Sequence, residues 1–167
     1  NLIVIQLKGK KGVINSMGKQ IIPYKMDAIA SYQSGTFSLL SKSKFGAYSK
    51  NGNLITPSYD RSLKVYNEHY FIAYKNNHYG IINDKNEPIS EMIFDEIRYW
   101  NDSSALVKIN FLWKVYHLAS KKYIQDNIKE LQLFHTNKNE SIYKILIDNQ
   151  YAILSTKRGV IVPASYN

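Results

Sequence analysis

Four histidines, His69, His78, His117 and His135, and three evenly placed aspartates, Asp27, Asp60 and Asp95, are the side chains best suited to ligate a metal or move protons. Their spacing argues against both. No two histidines stand at metal-ligand spacing, and a tetrahedral site needs three or four convergent ligands. The chain has no cysteine, which excludes thiolate metal sites, disulfides and cysteine nucleophiles and fits either redox compartment. No Gly-x-Gly-x-x-Gly, phosphate loop, Gly-x-Ser-x-Gly or His-Glu-x-x-His phrase occurs. The aspartates recur one per repeat at strand ends, where an Asx-turn with the backbone that follows accounts for them. Asn127 and Asn167 fill the equivalent places without charge, which weakens any charge-dependent role. The sequence therefore predicts no catalytic residue, no metal and no cofactor, and a chain that is not an enzyme.

Binding chemistry is better represented. Phe45, Tyr79, Trp113 and Tyr151 form an aromatic series that could stack sugars or bases, but each stands at one phase of the repeat, beside Gly46, Gly80, Lys114 and Ala152, as a core contact between copies would. Tyr99 and Trp100 fall outside that series, next to polar Asn101-Asp102-Ser103-Ser104, and are the exposed-aromatic candidates for carbohydrate. Lys8, Lys10, Lys11, Lys42, Lys44, Lys75 and Lys108 all lie in or beside the turn that precedes the aromatic, which puts them on one edge of the array. Such an edge either keeps strands from pairing with neighbours or meets an acidic partner. Lys19, Lys50, Lys85, Lys121, Lys122, Lys157 and Arg158 mark the opposite turns, so basic charge is not confined to that edge.

The elements that position these residues follow from a period. Gly12-Val13-Ile14-Asn15, Gly46-Ala47-Tyr48-Ser49, Gly80-Ile81-Ile82-Asn83, Lys114-Val115-Tyr116-His117 and Ala152-Ile153-Leu154-Ser155 start 34, 34, 34 and 38 residues apart. A return strand keeps the same phase at Ile21, Ile55, Ile89, Tyr123 and Ile161, and the turn before it holds Gly18, Gly52, Asn86, Ser120 and Arg158. Gly and Asn tolerate positive φ, so the turn is a hairpin signal. A further alternating segment precedes each aromatic, and Asp27, Asp60 and Asp95 each open a short fourth segment. The reading is all-β, five antiparallel β-meander copies of about 34 residues in a single domain, at roughly 1–27, 28–60, 61–95, 96–127 and 128–167. The last junction breaks the rule. Polar 135–140 reads as a protruding loop there, and 127–134 as strand or one to two helical turns.

Composition agrees, with 14 Tyr and 44% apolar residues against only 8 Gly and 4 Pro. The net charge of +9 raises the prospect of a polyanionic partner, yet 19 Lys against 3 Arg nearly omits the residue suited to bidentate phosphate contacts. No apolar run reaches the ~20 residues of a membrane-spanning helix. The chain opens on a strand at Asn1 rather than on Met, as a trimmed chain or a processed, extracytoplasmic product would. Neither compartment nor oligomeric state is set by the sequence.

The phrase of aromatic, Gly, apolar pair and Asn or Asp, followed by a Gly-Lys turn, Ile-Ile-Pro and Tyr-Asp, resembles the WG-repeat (KWG) family of bacteria over nearly the whole chain. Lys11 to Pro23, Phe45 to Asp60 and Tyr79 to Ile97 match best. Only Trp113 carries the family's Trp, and Lys114 and Ala152 replace its Gly. The resemblance implies a non-enzymatic repeat scaffold. Five copies suit a β-propeller, since radial repetition protects strand edges; an open β-solenoid of stacked meanders is the alternative. The expected function is protein or peptide binding, with a lectin-like carbohydrate module and polyanion binding through the lysine edge as alternatives.

Overall fold

The computed structural model describes residues 2–31 and 35–166 and is all-β. The chain divides into two compact units, Asn1–Met92 and Ile93–Asn167. In the first unit β1 (Leu2–Leu7), β2 (Lys10–Asn15) and β3 (Gln20–Met26) form one sheet. A second contains β4 (Ala28–Ser31), β5 (Phe37–Ser41), β6 (Lys44–Tyr48) and β7 (Leu54–Tyr59), in that order. The third has β8 (Lys64–Val65), β9 (Tyr70–Lys75) and β10 (His78–Asn83), extended by an antiparallel bridge from Ile82 to Pro88. The second unit is one seven-stranded meander: β11 (Glu96–Asn101), β12 (Ser104–Ile109), β13 (Leu112–His117), β14 (Lys122–Thr136), β15 (Ser141–Ile147), β16 (Gln150–Ser155) and β17 (Gly159–Tyr166). Among the described residues no helix is long and apolar enough to cross a membrane.

Five two-residue hairpins hold the period. Lys8-Gly9, Lys42-Ser43, Asn76-Asn77, Asn110-Phe111 and Asp148-Asn149 all have positive φ at both positions, from 48° to 78°. This is type I′ geometry, whose twist matches that of the strands it joins. The five hairpins pair without a slip. The next turn is capped by a side chain at the last position of the aromatic strand. Asn15 Oδ1 accepts from the Met17 and Lys19 N–H groups, Asn83 Oδ1 from Lys85 and Glu87, and Ser155 Oγ from Lys157 and Arg158. Gly18, Gly52 and Asn86 take the left-handed conformation expected of them. In the last two copies it shifts one residue on, to Lys121 and Gly159, so Ser120 and Arg158 are not the reversing residues.

The segments opened by Asp27 and Asp95 are strands, and they pair with the copy that follows: β4 lies against β5 and β11 against β12. The aspartates also act differently from the expected Asx-turn. Asp27 donates its N–H to the Leu40 carbonyl (2.7 Å), and its Oδ2 accepts from the Lys42 N–H (2.7 Å) in the hairpin turn ahead. Asp60 does the same at Tyr74 and Asn76, and Asp95 at Lys108 and Asn110, all at 2.9 Å. The other oxygen of Asp27 and of Asp60 pairs with Lys10 and Lys44.

These contacts hold both carboxyl groups below the ordinary value of 3.8, through the lysine ammonium first and the turn N–H second. A folded value below the unfolded one means that the folded state binds fewer protons. The stabilisation is complete above the unfolded value and is lost as pH falls through the lower folded one. Asp60→Asn, which keeps an oxygen acceptor, is therefore expected to lose less stability than the parent as pH falls below about 4. Urea midpoints across that range read it, and parallel pH profiles for the two proteins would count against this role.

Apolar burial follows the phase of the strands. Val13, Ile22, Met26 and Leu39 form one cluster, and Ala47, Ile55, Tyr59, Leu63, Phe71, Ala73 and Ile82 another. In the second unit Trp100, Leu106, Trp113, Val115 and Ile128 share a core with Ile145, Ala152 and Leu154 from the far side of the same meander. The 15-residue β14 makes that possible. Its register slips opposite β13 and again opposite β15, and Asn127 takes a φ of 56°. Such bulges bend a strand and increase its twist. The stretch 127–134 is therefore strand rather than helix, and residues 135 and 136 extend it, so only the hairpin at 137–140 remains of the expected loop.

A candidate ligand cleft in the second unit

The turns at one end of the seven-stranded meander line a cleft of about 800 Å³. Its walls are the two stretches in which the chain departs from its own repeat: 99–103, and 137–141 with Tyr143; Thr156 and Lys157 complete it. Each wall is built by local backbone chemistry. Tyr99 and Trp100 are consecutive in β11 and so face opposite sides of the sheet, and the register slips between Tyr99 and Asn101. Tyr99 is 57% exposed and Trp100 only 5%. Trp100, expected to be exposed, is instead a core residue that stacks on Tyr143, with ring centroids 5.1 Å apart and planes at 26°. It reaches the cleft as part of its floor.

Hydrogen bonds hold the rim. Asn101 Oδ1 accepts from the Ser103 N–H (2.9 Å), while its amide donates to the Thr156 carbonyl (2.6 Å) and joins two walls. The Tyr99 hydroxyl donates to Asp102 Oδ1 (2.9 Å). Burial and then the Asp102 carboxylate push that hydroxyl above its ordinary value, so it stays a donor at neutral pH. Opposite, Asn137 Oδ1 accepts from the N–H groups of Asn139 and Glu140. Glu140 accepts from the Ser155 hydroxyl and from Arg158 Nε (2.7 Å), which hold it ionised below its ordinary value. The lining has two acids, Asp102 and Glu140, and two lysines, Lys138 and Lys157, so its formal charges cancel although the chain carries +9.

The other predicted positions lie elsewhere. Lys8 and Lys42 are left-handed turn residues, Lys10 and Lys44 are paired with Asp27 and Asp60, and Lys75 ends β9. Lys108 in β12 holds its ammonium 5.3 Å from the Trp113 ring, which Arg98 also covers at 4.4 Å. Of the aromatic series Trp113 is core, Phe45 packs against the Ala47 cluster, Tyr79 meets Tyr74 and Arg61, and Tyr151 lies under Lys144. Gly12, Gly46 and Gly80 all sit where the return segment crosses closely. Among the histidines, His78 Nδ1 lies 3.0 Å from the Asn76 carbonyl and His117 Nδ1 2.8 Å from Ser120 Oγ. Among the described residues no three His, Asp or Glu converge on a metal position. Asn101, Asn137 and Glu140 lie in the two stretches that the sequence marks by their break with the repeat, 99–104 and 134–141, but their individual roles in building the cleft were not read from it. Asn and Ser clustered beside a broken period were the available signal.

No curated protein matches the sequence. Among solved structures, a crystal structure of the eukaryotic initiation factor is similar over 95% of this chain and 48% of its own, at 12% identity and a TM-score of 0.53. Hsv2p of Kluyveromyces lactis is similar over 96% of this chain and 58% of its own, at 11% identity and a TM-score of 0.47. The chain thus spans about half the length of these structures, and at such identity the first likeness is one of β-rich fold alone. At the level of sequence, residues 79–113 match the WG containing repeat family.

Proposed function

We propose that the chain is a non-catalytic scaffold of β-meander repeats, and that the cleft in its second unit binds a neutral polar ligand, a carbohydrate. The observation that carries this reading is the meeting of the two non-repeating stretches in one cleft. Repeat positions are explained by packing, whereas 99–103 and 137–141 break the pattern and together form a concave surface within the ~300–1,000 Å³ range of small-ligand sites. An exposed Tyr99 offers a ring face to the apolar side of a sugar, and Asp102, Asn139 and Glu140 offer acceptors and donors for its hydroxyls. Cancelling charges favour a neutral ligand over a polyanion. The pairing of Lys10 and Lys44 with aspartates also lowers the positive field of the lysine edge.

A glycan array followed by calorimetry tests the reading. A retained glycan should bind about tenfold more weakly to Tyr99→Ala, the loss expected of one aromatic contact, and its affinity should change little with added salt. Heparin-type retention that vanishes in Lys8→Glu, Lys42→Glu and Lys44→Glu would favour the lysine edge instead. An array without signal, or binding indifferent to Tyr99→Ala, would remove the carbohydrate reading.

A further inference from the structure

Gly follows an asparagine once in this chain, at Asn51-Gly52 in the turn after β6. A glycine nitrogen has no side chain beside it and its backbone turns freely, so it can reach the carboxamide carbon of the residue before it. Packing does not call for an asparagine here. At the same phase of the turn the first copy has Met17 and the third has Lys85, both exposed. In the folded turn the two reacting groups are engaged elsewhere. The Gly52 N–H donates to the Ser49 carbonyl at 3.0 Å, and the Ser49 N–H donates to the Asn53 carbonyl at 2.9 Å. The Asn51 side-chain amide donates to Asp84 Oδ2 at 2.9 Å and to the Glu68 carbonyl at 3.2 Å. Asp84 is buried and fixed by its own N–H, which donates to the His69 carbonyl at 3.0 Å. Asn51 and Gly52 themselves are exposed, so water reaches the pair.

We propose that Asn51 is a site of spontaneous deamidation which its bond to Asp84 holds back, so that each opening of this turn risks becoming permanent. When the turn opens, the Gly52 N–H leaves Ser49 and the Asn51 amide leaves Asp84 and Glu68. The Gly52 nitrogen gives its proton to solvent and attacks Asn51 Cγ. The new N–C bond closes a cyclic imide, the Cγ–Nδ2 bond breaks, and the nitrogen departs as ammonia with a proton taken back from solvent. Water then adds to one of the two imide carbonyls. Opening at Cγ leaves an aspartate, and opening at the main-chain carbonyl leaves an isoaspartate. One water is consumed and one ammonia released, with no change of oxidation state. Neither product restores the closed turn. A carboxylate has no N–H to give to Asp84 or Glu68 and sets a like charge against Asp84. The isoaspartate also adds a methylene to the main chain inside a turn closed by Ser49 and Asn53. All of these residues belong to the first unit, so the proposal is independent of the carbohydrate reading of the cleft.

The test follows the whole chain, folded and urea-unfolded, at neutral and mildly alkaline pH. Samples are digested, and mass spectrometry with chromatographic separation of the aspartate and isoaspartate forms reads each asparagine. Conversion is expected first at Asn51, with both products present and a rate that rises with pH. In the folded chain it should run about tenfold slower than in urea, the worth of one or two net hydrogen bonds. Asp84→Ala should bring the folded rate at Asn51 up to the unfolded one. Because that change could itself unfold the first unit, Gly52→Asn is run beside it. Asn86 takes the same left-handed turn position in the third copy, so this variant keeps the turn while a side chain shields the attacking nitrogen. Its conversion at Asn51 should fall to the rate of the other asparagines. Converted chain, separated from the parent, should show faster amide exchange at Ser49, Gly52 and Asn53, whose N–H groups close the turn. Four results would each overturn the proposal: Asn51 intact in the folded chain while other asparagines convert, equal rates with and without urea, a folded Asp84→Ala chain converting no faster than the parent, or Gly52→Asn converting as fast as the parent.

Discussion

Gly46→Ala is expected to cost about 2–4 kcal/mol, the range for forced movement in a well-packed interior. The reason is a close crossing rather than a special backbone angle. A Cβ on Gly46 would lie 2.3 Å from the Ile55 carbonyl oxygen, 2.7 Å from Pro57 N and 3.0 Å from Pro57 Cα. All three are backbone atoms of β7, so no side chain can rotate away. The pairing of β6 with β7 slips between Phe45 and Ala47, and the glycine lets the bulged strand approach. Gly12 and Gly80 meet the same geometry with softer neighbours. The nearest atom to a Cβ on Gly12 is in the Tyr24 ring at 2.6 Å and to one on Gly80 the Met92 sulfur at 2.5 Å, although Ile22 and Glu91 carbonyls follow at 2.8 Å. Their alanine variants should therefore lose less than Gly46→Ala. Gly9 is the control for backbone conformation, with a φ of 78° and open space around a Cβ. Gly9→Ala should cost about 1–2 kcal/mol from the left-handed angle alone. Urea midpoints of the four variants rank these effects. Gly46→Ala no worse than Gly9→Ala would refute the close-crossing account.

The same crossing shows why the repeat was legible in sequence while its mechanism was not. A type I′ hairpin and a tight strand crossing restrict residue type at single positions, so Gly12, Gly46 and Gly80 stand out in phase without any structure. Where the crossing is built otherwise, the signal fades. Lys114 replaces the glycine at that phase, and there the slip between Trp113 and Val115 is opposed by Asn127 in a left-handed conformation on β14. The aspartates illustrate a second limit. Asp27 recurs visibly, but its partner is a backbone N–H fifteen residues on, in another hairpin, and no local rule joins the two. Trp100 illustrates a third, because it and Tyr99 face opposite sides of β11 and the sequence alone does not say which of those sides is covered. The cleft was half legible. Both of its walls are marked as departures from the period, but only the bends of β14 bring them together.

The largest electrostatic effect is expected at Asn51→Asp. Asp84 is 8% exposed, and its Oδ2 accepts from two amides, Asn51 Nδ2 at 2.9 Å and Asn53 Nδ2 at 3.0 Å. Asn51 also donates to the Glu68 carbonyl at 3.2 Å, and the Asp84 N–H donates to the His69 carbonyl at 3.0 Å. The network thus ties the turn after β6 to the turn after β10 with an acceptor-only carboxylate at its centre. Replacing the Asn51 amide by a carboxylate removes one donor and puts a second negative charge against the buried Asp84, although Asn51 itself is exposed and water screens part of the repulsion. The combined cost at neutral pH is about 2–3 kcal/mol, a large part of the ~5–15 kcal/mol that holds a typical domain together. Asn51→Ala separates the two contributions, since it removes the donor without adding charge and should cost about 1–2 kcal/mol. The excess of the aspartate variant over the alanine variant is the like-charge repulsion. It should shrink as pH falls and the introduced carboxylate at position 51 takes up a proton. Thermal melts of both variants at neutral and acidic pH measure that excess. Equal losses at neutral pH, or an excess that does not fall with acidification, would mean that Asp84 carries no functional share of this network's charge.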